Sequence, residues 1–407
     1  MRIGEFAKIN SITIDAVRHY MNMGLLVPMK LKGQYEFTDE SQKALKEIIA
    51  LKDSGFTINE IKTIFMFKLL GNLTNYQVNE YYKMVFESKA DRLRHDIEHF
   101  SQMLQNIEHR MEGMAAHERC GGFKIGLDIS TLSLLKCIAC GGDLTIHEGL
   151  VEENQLMNGI LSCSCGHHYE VEDGILIIHQ NSELKHNDFD DDFISKYITT
   201  TDARYLDNLY KGIEYAKNKI DFNSFKNKVL LELGSGLGFL LRNIYEKLPE
   251  DALYIAVDHD KGRHRFLKSM FESSDLKRNI LFICSDFQEL PIKKKKIDVV
   301  FDISGTSNYS FEHTDFLLNT VNACLSDEAM LVGLYIIFKN FSNKGYVSPE
   351  YRKNFSLESI RHGVVDLGFK ITDERKGQFI DKGGLYEDYF VKGETVFSYM
   401  LIGKRSG

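Results

Sequence analysis

Along the first 75 residues, apolar positions recur at helical spacing in short runs broken by polar or glycine positions. Ile3, Phe6 and Ala7 share one helical face, the pattern breaks at Asn10 and Ser11, and Thr13 is a candidate N-cap for a second helix. That helix carries Ile14, Val17, Tyr20 and Met21 until Gly24 ends it. The stretch VPMKLKGQYEFTDE then reads as two short extended runs around Gly33, and SQKALKEIIALKDSGFTINEIKTIF returns to helical spacing in two further helices. The outline is a helix-turn-helix with a wing. Farther on, Phe86, Ala90, Leu93, Ile97, Phe100, Leu104, Ile107, Met111 and Met114 follow by alternating steps of four and three. A single packed helix would carry a wider apolar stripe, so this heptad seam predicts a coiled coil between two chains.

From about residue 190 onward strands and helices alternate, the signature of a parallel sheet with helices on its faces. Val229–Leu233 predicts a buried strand, Gly234, Gly236 and Gly238 a tight turn, and Phe239–Ile244 the start of a helix. Glycines there let backbone N–H groups approach a nucleotide-type ligand at a helix N-terminus. YIAVDHD ends a second strand at Asp258, a position suited to a carboxylate that accepts hydrogen bonds from ribose hydroxyls.

Length and composition add compartment and organisation. At 407 residues the chain is too long for one ordinary domain. Its net charge of −8 argues against an all-over nucleic-acid coat but leaves room for a local basic face. No apolar run approaches the ~20 residues that span a bilayer, and no secretory signal opens the chain, so the protein is expected to be cytoplasmic and to lack a membrane partner. In a reducing compartment, paired cysteines are metal ligands or redox groups more often than disulfides. Cys137-x-x-Cys140 and Cys163-x-Cys165, separated by 22 residues, have the spacing of a tetrahedral zinc site, with His167 or His168 as a substitute for one thiolate. The thioredoxin-like context of a redox pair is absent. Cys120, Cys284 and Cys324 are scattered and read as small apolar or surface residues. NDFDDDF before residue 194 reads as a solvated linker or helix start, and the lysine run 293–296 as a solvated edge.

VRHYMNMGLLVP, GQYEFTDE and LKDSGFTINEI resemble the MerR family of regulators. The resemblance implies double-stranded operator DNA as partner, contacted by Arg18 and Tyr20 on the second helix and by Lys30, Lys32 and Tyr35 in the wing. It also implies a homodimer held by an antiparallel coil. Glu36 stands where the family wing commonly has Arg, and its repulsion from phosphate lowers affinity or shifts site preference. HHYEVEDGILII resembles the tail of zinc ribbons that precede some methyltransferase domains, including a bacterial 23S rRNA guanine methyltransferase group, and implies one structural Zn2+ per chain.

KVLLELGSGLGFLLRNI, with G-x-G-x-G after Glu232, resembles class I S-adenosylmethionine-dependent methyltransferases, and LFICSDFQELPI, KIDVVFDISGTSNY and AMLVGLYIIF continue the family's landmarks in order. By that resemblance Glu232, Gly234, Ser235, Gly236, Gly238, Asp258, His259, Asp286 and Phe287 bind S-adenosyl-L-methionine, with Asp286 at the adenine amino group and Phe287 at its ring. The acceptor stays open. The Asn/Asp-Pro-Pro-aromatic motif of base amino methylation is missing from the fourth-strand loop, as is a cysteine. Asp302, Tyr309 and His313 are the polar candidates to face the donor methyl, or else cap loops.

The expected architecture is multidomain: an α-helical winged helix-turn-helix at 1–75, a coiled-coil helix at 76–117, a small zinc ribbon at 130–180, and a Rossmann-like α/β methyltransferase fold with a seven-stranded sheet at 190–407. The expected function is a DNA-binding regulator whose methyltransferase part methylates or senses a small-molecule effector or acceptor. Two rivals remain: an active methyltransferase of a small molecule or rRNA that also controls its own gene, and a plain methyltransferase whose N-terminal helices serve assembly.

Overall fold

Residues 1–31, 33–70, 75–115, 122–178, 193–387, 389 and 391–405 are described by the computed structural model. The chain divides into two units, Met1–Glu118 and Arg119–Gly407.

In the first unit α1 (Ile3–Ile9) and α2 (Ile14–Asn22) meet around Phe6, Val17 and Tyr20. Thr13 caps α2 by accepting from Ala16 N–H at 3.1 Å. A hairpin of β1 (Met29–Leu31) and β2 (Gln34–Glu36) pairs Lys30 with Tyr35 and exposes every side chain described in it. Thr38 and Ser41 form a capping box that opens α3 (Asp39–Asp53), and α4 (Ile58–Leu70) closes the core. Phe6 stacks on Phe37 at 4.3 Å, which pins the wing to the first helix. The last element, α5 (Asn75–Ala115), runs for 41 residues, about 60 Å at 1.5 Å per residue. Its seam is bare: Ile97, Phe100, Leu104, Ile107, Met111 and Met114 are all more than half exposed.

The second unit is built on one sheet. Strands β3 (Leu127–Asp128), β4 (Leu144–Glu152), β5 (Gln155–Cys163), β6 (His168–Glu172) and β7 (Ile175–Ile177) come first. Helices α6 (Phe193–Thr200) and α7 (Ala203–Lys219) precede an alternating run: β8 (Val229–Leu233), α8 (Phe239–Ile244), β9 (Leu253–Asp258), α9 (Lys261–Glu272), β10 (Asn279–Cys284) and β11 (Ile297–Ile303). After α10 (Gly305–Tyr309) and α11 (Leu317–Val321) come β12 (Leu325–Asn340), α12 (Leu357–Asp366), β13 (Phe369–Lys376) and β14 (Thr395–Arg405).

The strand order β13-β14-β12-β11-β8-β9-β10 contains the seven expected strands, parallel from β10 to β12 with β14 reversed. Parallel strands buried on both faces need apolar side chains throughout, and β8, β9 and β10 supply them. One face is covered by α7, α8 and α9 through Ile213, Leu241 and Leu267, the other by α11 and α12 through Leu318 and Val364.

The sheet does not stop at β10. Ile175–Ile177 pair in parallel with Phe282–Cys284, and β6, β5, β4 and β3 follow, so among the described residues the sheet has twelve strands. The cysteine-bearing hairpins therefore extend the sheet of the alternating run, and Leu144, Leu161 and Val171 join the same apolar cluster as Leu231 and Val257. Ion pairs lock the seam: Lys268, 1% exposed, meets Asp173 at 3.0 Å and Glu272 at 2.7 Å, while Lys261 reaches Glu172 at 2.8 Å.

Candidate functional site

In the first unit, helical spacing settles which side chains of α2 face outward. Arg18 is exposed and pairs with Asp15 at 3.1 Å, and His19 beside it is also exposed. Tyr20 differs from expectation: at 6% exposure it belongs to the core with Val17, three residues back on the same face. The buried pair Val17 and Tyr20 fixes the outward direction of His19, which sequence reasoning did not single out. In the wing, Lys30 and Tyr35 are exposed cross-strand partners with the ammonium 5.7 Å from the ring centre. Lys32 lies outside the described residues, as do Cys120 and the acidic run up to residue 192.

In the second unit the sulfurs of Cys137, Cys140, Cys163 and Cys165 all lie within 4.8 Å of one another, with 3.6 Å between Cys137 and Cys165 and 3.4 Å between Cys140 and Cys163. Zinc–sulfur bonds of about 2.3 Å at tetrahedral angles place sulfurs about 3.8 Å apart, so the four thiols fit a metal. Neither candidate histidine is in the cluster: His167 Nδ1 sits 3.4 Å from Cys165 Sγ on its outside, and His168 lies beside His147. Burial works to raise the Cys137 thiol, but the Tyr169 hydroxyl at 3.1 Å and the N–H groups of Cys140 and Ala139 outweigh it and hold it at about 6. The Gly142 N–H pulls Cys140 down, yet the crowd of neighbouring sulfurs pushes it up to about 12. Four thiols this close cannot all ionise unaided, and a divalent cation supplies what is lacking.

An opening of about 640 Å³ in the second unit lies where β8 and β11 end, the point at which the strand order reverses. Glu232, Gly234, Ser235 and Gly236 form one wall and Ile303, Ser304 and Asn308 the facing one. Gly238 sits at φ +71°, and a Cβ there would lie 2.3 Å from Leu267, so only glycine makes this turn against α9. The Ser235 hydroxyl, 4% exposed, is a buried polar atom with no protein partner on the cleft wall. A ligand with polar edges, such as a nucleoside-linked amino acid, supplies that partner.

Two carboxylates organise this wall differently. Glu232 is pushed up to about 8 by burial, against the hydrogen bond from Tyr254 at 2.9 Å and with the Asp258 charge adding to it. For Asp258, burial acts upward too, but Arg263, His264 and His259 outweigh it and hold the carboxyl below its ordinary value. Asp258 accepts from Gly236 N–H at 2.8 Å and Asp260 N–H at 3.0 Å, so it ties the glycine turn to the start of α9. Asp286 is exposed, and the Phe287 ring approaches Gly234; neither residue, nor His259, lines the opening.

The three catalytic candidates also lie off it. Asp302 is fully buried, accepts from both Thr306 N–H at 2.7 Å and Thr306 Oγ1 at 2.5 Å, and is pushed up to about 6 by burial. The Tyr309 hydroxyl bonds Asp315 at 3.1 Å and accepts from Gln288 at 3.1 Å, while its ring stacks on His313 at 3.9 Å. These groups brace the loops after β10 and β11. The cleft-facing members of the same stretch are Asn308, Phe311 and Glu312. The remaining wall is aromatic, from α6, α7 and the β13–β14 connection, and includes the buried Glu387. That connection is far longer than a hairpin requires, which is the one sequence signal that it carries more than a turn.

Residues 1–67 match the MerR HTH family regulatory protein family, and residues 230–328 match a methyltransferase domain. The HTH-type transcriptional regulator CueR of Bacillus subtilis (strain 168) is 29% identical over 119 residues, 29% of this chain and 76% of that protein. Similar solved structures include a SAM-dependent methyltransferase from Aquifex aeolicus, at 18% identity over 51% of this chain and 97% of that one with TM-score 0.34. Another is the magnesium protoporphyrin IX methyltransferase of Synechocystis PCC 6803 with bound SAM, at 15% identity over 54% and 88% with TM-score 0.35. The chain thus joins a helix-turn-helix segment similar to MerR-family regulators to a segment that matches a methyltransferase domain.

Proposed function

We propose that this chain, a MerR-type helix-turn-helix joined to a methyltransferase fold, is a dimeric DNA-binding regulator whose second unit binds S-adenosylmethionine and methylates or senses a small molecule. The observation that carries the reading is the presence, in one chain, of outward Arg18 and Lys30 side chains and of a glycine-walled cleft at the strand-order reversal. Ser235, the N–H groups of the glycine turn and Glu232 are the residues to hold the donor, with Asp258 and Arg263 shaping the turn. S-adenosylmethionine supplies the methyl group when bound. The chain's own part is to place donor and acceptor in one opening, since Asp302, Tyr309 and His313 are spent on loop bracing.

Zn2+ held by the four cysteines has a structural task in this reading, because four thiolates leave no open ligand position. The bare seam of α5 supports a two-chain coil, in which each buried Leu, Ile, Phe or Met contributes about 1.5–3 kcal/mol. Mass spectrometry of gently purified protein together with titration calorimetry tests the donor claim. Bound S-adenosylmethionine or its demethylated product, and micromolar or tighter affinity, is the expected outcome; no binding of either removes it.

A further inference from the structure

The cysteine cluster and the donor cleft are joined by a short bridge outside the named strands. Just before Cys137 the chain runs antiparallel to the segment that leaves the loop after β10. Leu135 pairs with Ile292, Lys136 N–H donates to Pro291 O at 2.9 Å, and Lys293 N–H donates to Leu134 O at 2.9 Å. Leu135 and Ile292 are fully buried there. The Lys293 ammonium clasps the cysteine turn from both flanks, donating to Ser133 O at 3.0 Å and pairing with Asp143 at 2.7 Å. Within that turn Cys137 N–H donates to Gly142 O and Gly141 N–H to Cys137 O, both at 2.8 Å. On the other side of the bridge, residues 285–290 close into a compact loop. The Ser285 hydroxyl donates to Glu289 O at 3.0 Å and Gln288 N–H to the Asp286 carboxylate at 3.1 Å. That loop touches both walls of the donor cleft. The Phe287 ring lies 3.4 Å from where a Cβ on Gly234 would stand, and the Gln288 amide donates at 3.1 Å to Tyr309, next to the cleft-lining Asn308.

We propose that the four-cysteine site and the donor cleft are linked ligand sites. A thiophilic divalent cation on the sulfurs fixes the Pro291–Lys293 segment, which holds the Phe287–Gln288 loop against the cleft, so metal and donor each tighten the other's binding. Lys293 is the positioning residue of this linkage. Four thiols within 4.8 Å of one another cannot all ionise without a cation, so loss of the metal lets the turn at Cys137 open. Lys136, which holds Pro291, is the next residue in the chain, and Pro291 directly follows the loop. An opening at the sulfurs is therefore felt at Phe287 and Gln288. Thermodynamic linkage makes the factor the same in both directions. The inference rests on the donor-cleft reading and adds to the metal a task beyond holding the sheet together.

The test is calorimetric titration of S-adenosylhomocysteine, which has no methyl to transfer, into reduced full-length protein. Wild type and Lys293→Ala are each compared zinc-loaded and zinc-depleted, with folding checked by circular dichroism. Loaded wild-type protein should bind the probe about fivefold or more tighter than depleted protein. Lys293→Ala should keep its zinc yet bind about as weakly loaded as depleted, the mark of a coupled pair in a double-mutant cycle. Should depleted protein lose its fold, loaded Lys293→Ala carries the test, with stoichiometric zinc and a donor affinity about threefold or more below wild type. Equal affinity with and without zinc in folded protein, or unchanged affinity in zinc-loaded Lys293→Ala, overturns the inference. Loaded protein that binds no S-adenosylhomocysteine defeats the donor site itself, and folded protein that takes up no zinc defeats the metal site; either removes the linkage with it.

Discussion

Glu232 shows how one residue's surroundings set an observable. Its carboxyl, pushed up to about 8 by burial, stays protonated at neutral pH in the open cleft. A donor bringing an ammonium group to it favours the ionised form, so binding at pH 7 should release about one proton, measurable in buffers of different ionisation heat. Glu232→Gln should bind without that release, and a wild type that releases none places the ammonium elsewhere. The same shift bears on stability. Because the folded state holds a proton between the ordinary 4.5 and about 8, this group's contribution falls as pH rises through that window, and Glu232→Gln should flatten the slope of unfolding free energy there. On the first unit, Arg18→Ala should weaken binding to the protein's own promoter region and lower the salt slope by about one, as expected for a lost phosphate contact. An unchanged gel-shift affinity removes Arg18 from the DNA face.

At the scale of elements, the parallel pairing of β7 with β10 makes the cysteine cluster part of the donor fold's stability. Chelating the metal, or Cys163→Ser, should lower the melting temperature of the whole second unit and not merely loosen a peripheral hairpin. Two separate transitions, with the donor fold unmoved, would contradict the continuous sheet. Lys268 holds that seam with its ammonium buried between Asp173 and Glu272. Lys268→Met removes the buried ammonium from the half-exposed Asp173 and from Glu272, which keeps the Ile125 N–H and Lys124, and should cost about 1–2 kcal/mol by denaturant unfolding. The element pattern was well legible in the sequence: the seven strands after residue 228, the wing and the long helix all follow from period and glycine placement. What was not legible is edge pairing. GILII reads as any short apolar strand, and nothing local says that its partner lies a hundred residues on at Phe282–Cys284. The same limit hid the aromatic wall of the cleft, whose members come from separated segments, and misplaced Asp302, whose polarity announced chemistry while its oxygens serve Thr306. Metal-ligand spacing, by contrast, is local enough to bring the four cysteines into view before any fold is known.

For the whole molecule, the reader and the donor fold matter to one another only if a ligand distinguishes two arrangements of the dimer. If the exposed α5 seam is where two chains meet, as proposed, the protein should sediment as a dimer at micromolar concentration, and Leu104→Glu should dissociate it. Linkage then demands reciprocity: if ligand alters DNA affinity, DNA alters ligand affinity by the same factor, typically about 5- to 150-fold in coupled systems. The most direct measurement is the calorimetric affinity of S-adenosylmethionine, and of its demethylated product, for the full-length protein with and without promoter DNA. At least one of the two affinities should change by fivefold or more when DNA is bound. Identical affinities for every ligand that binds would mean that the two units are merely tethered, and would contradict a regulator that reads its methyltransferase cleft.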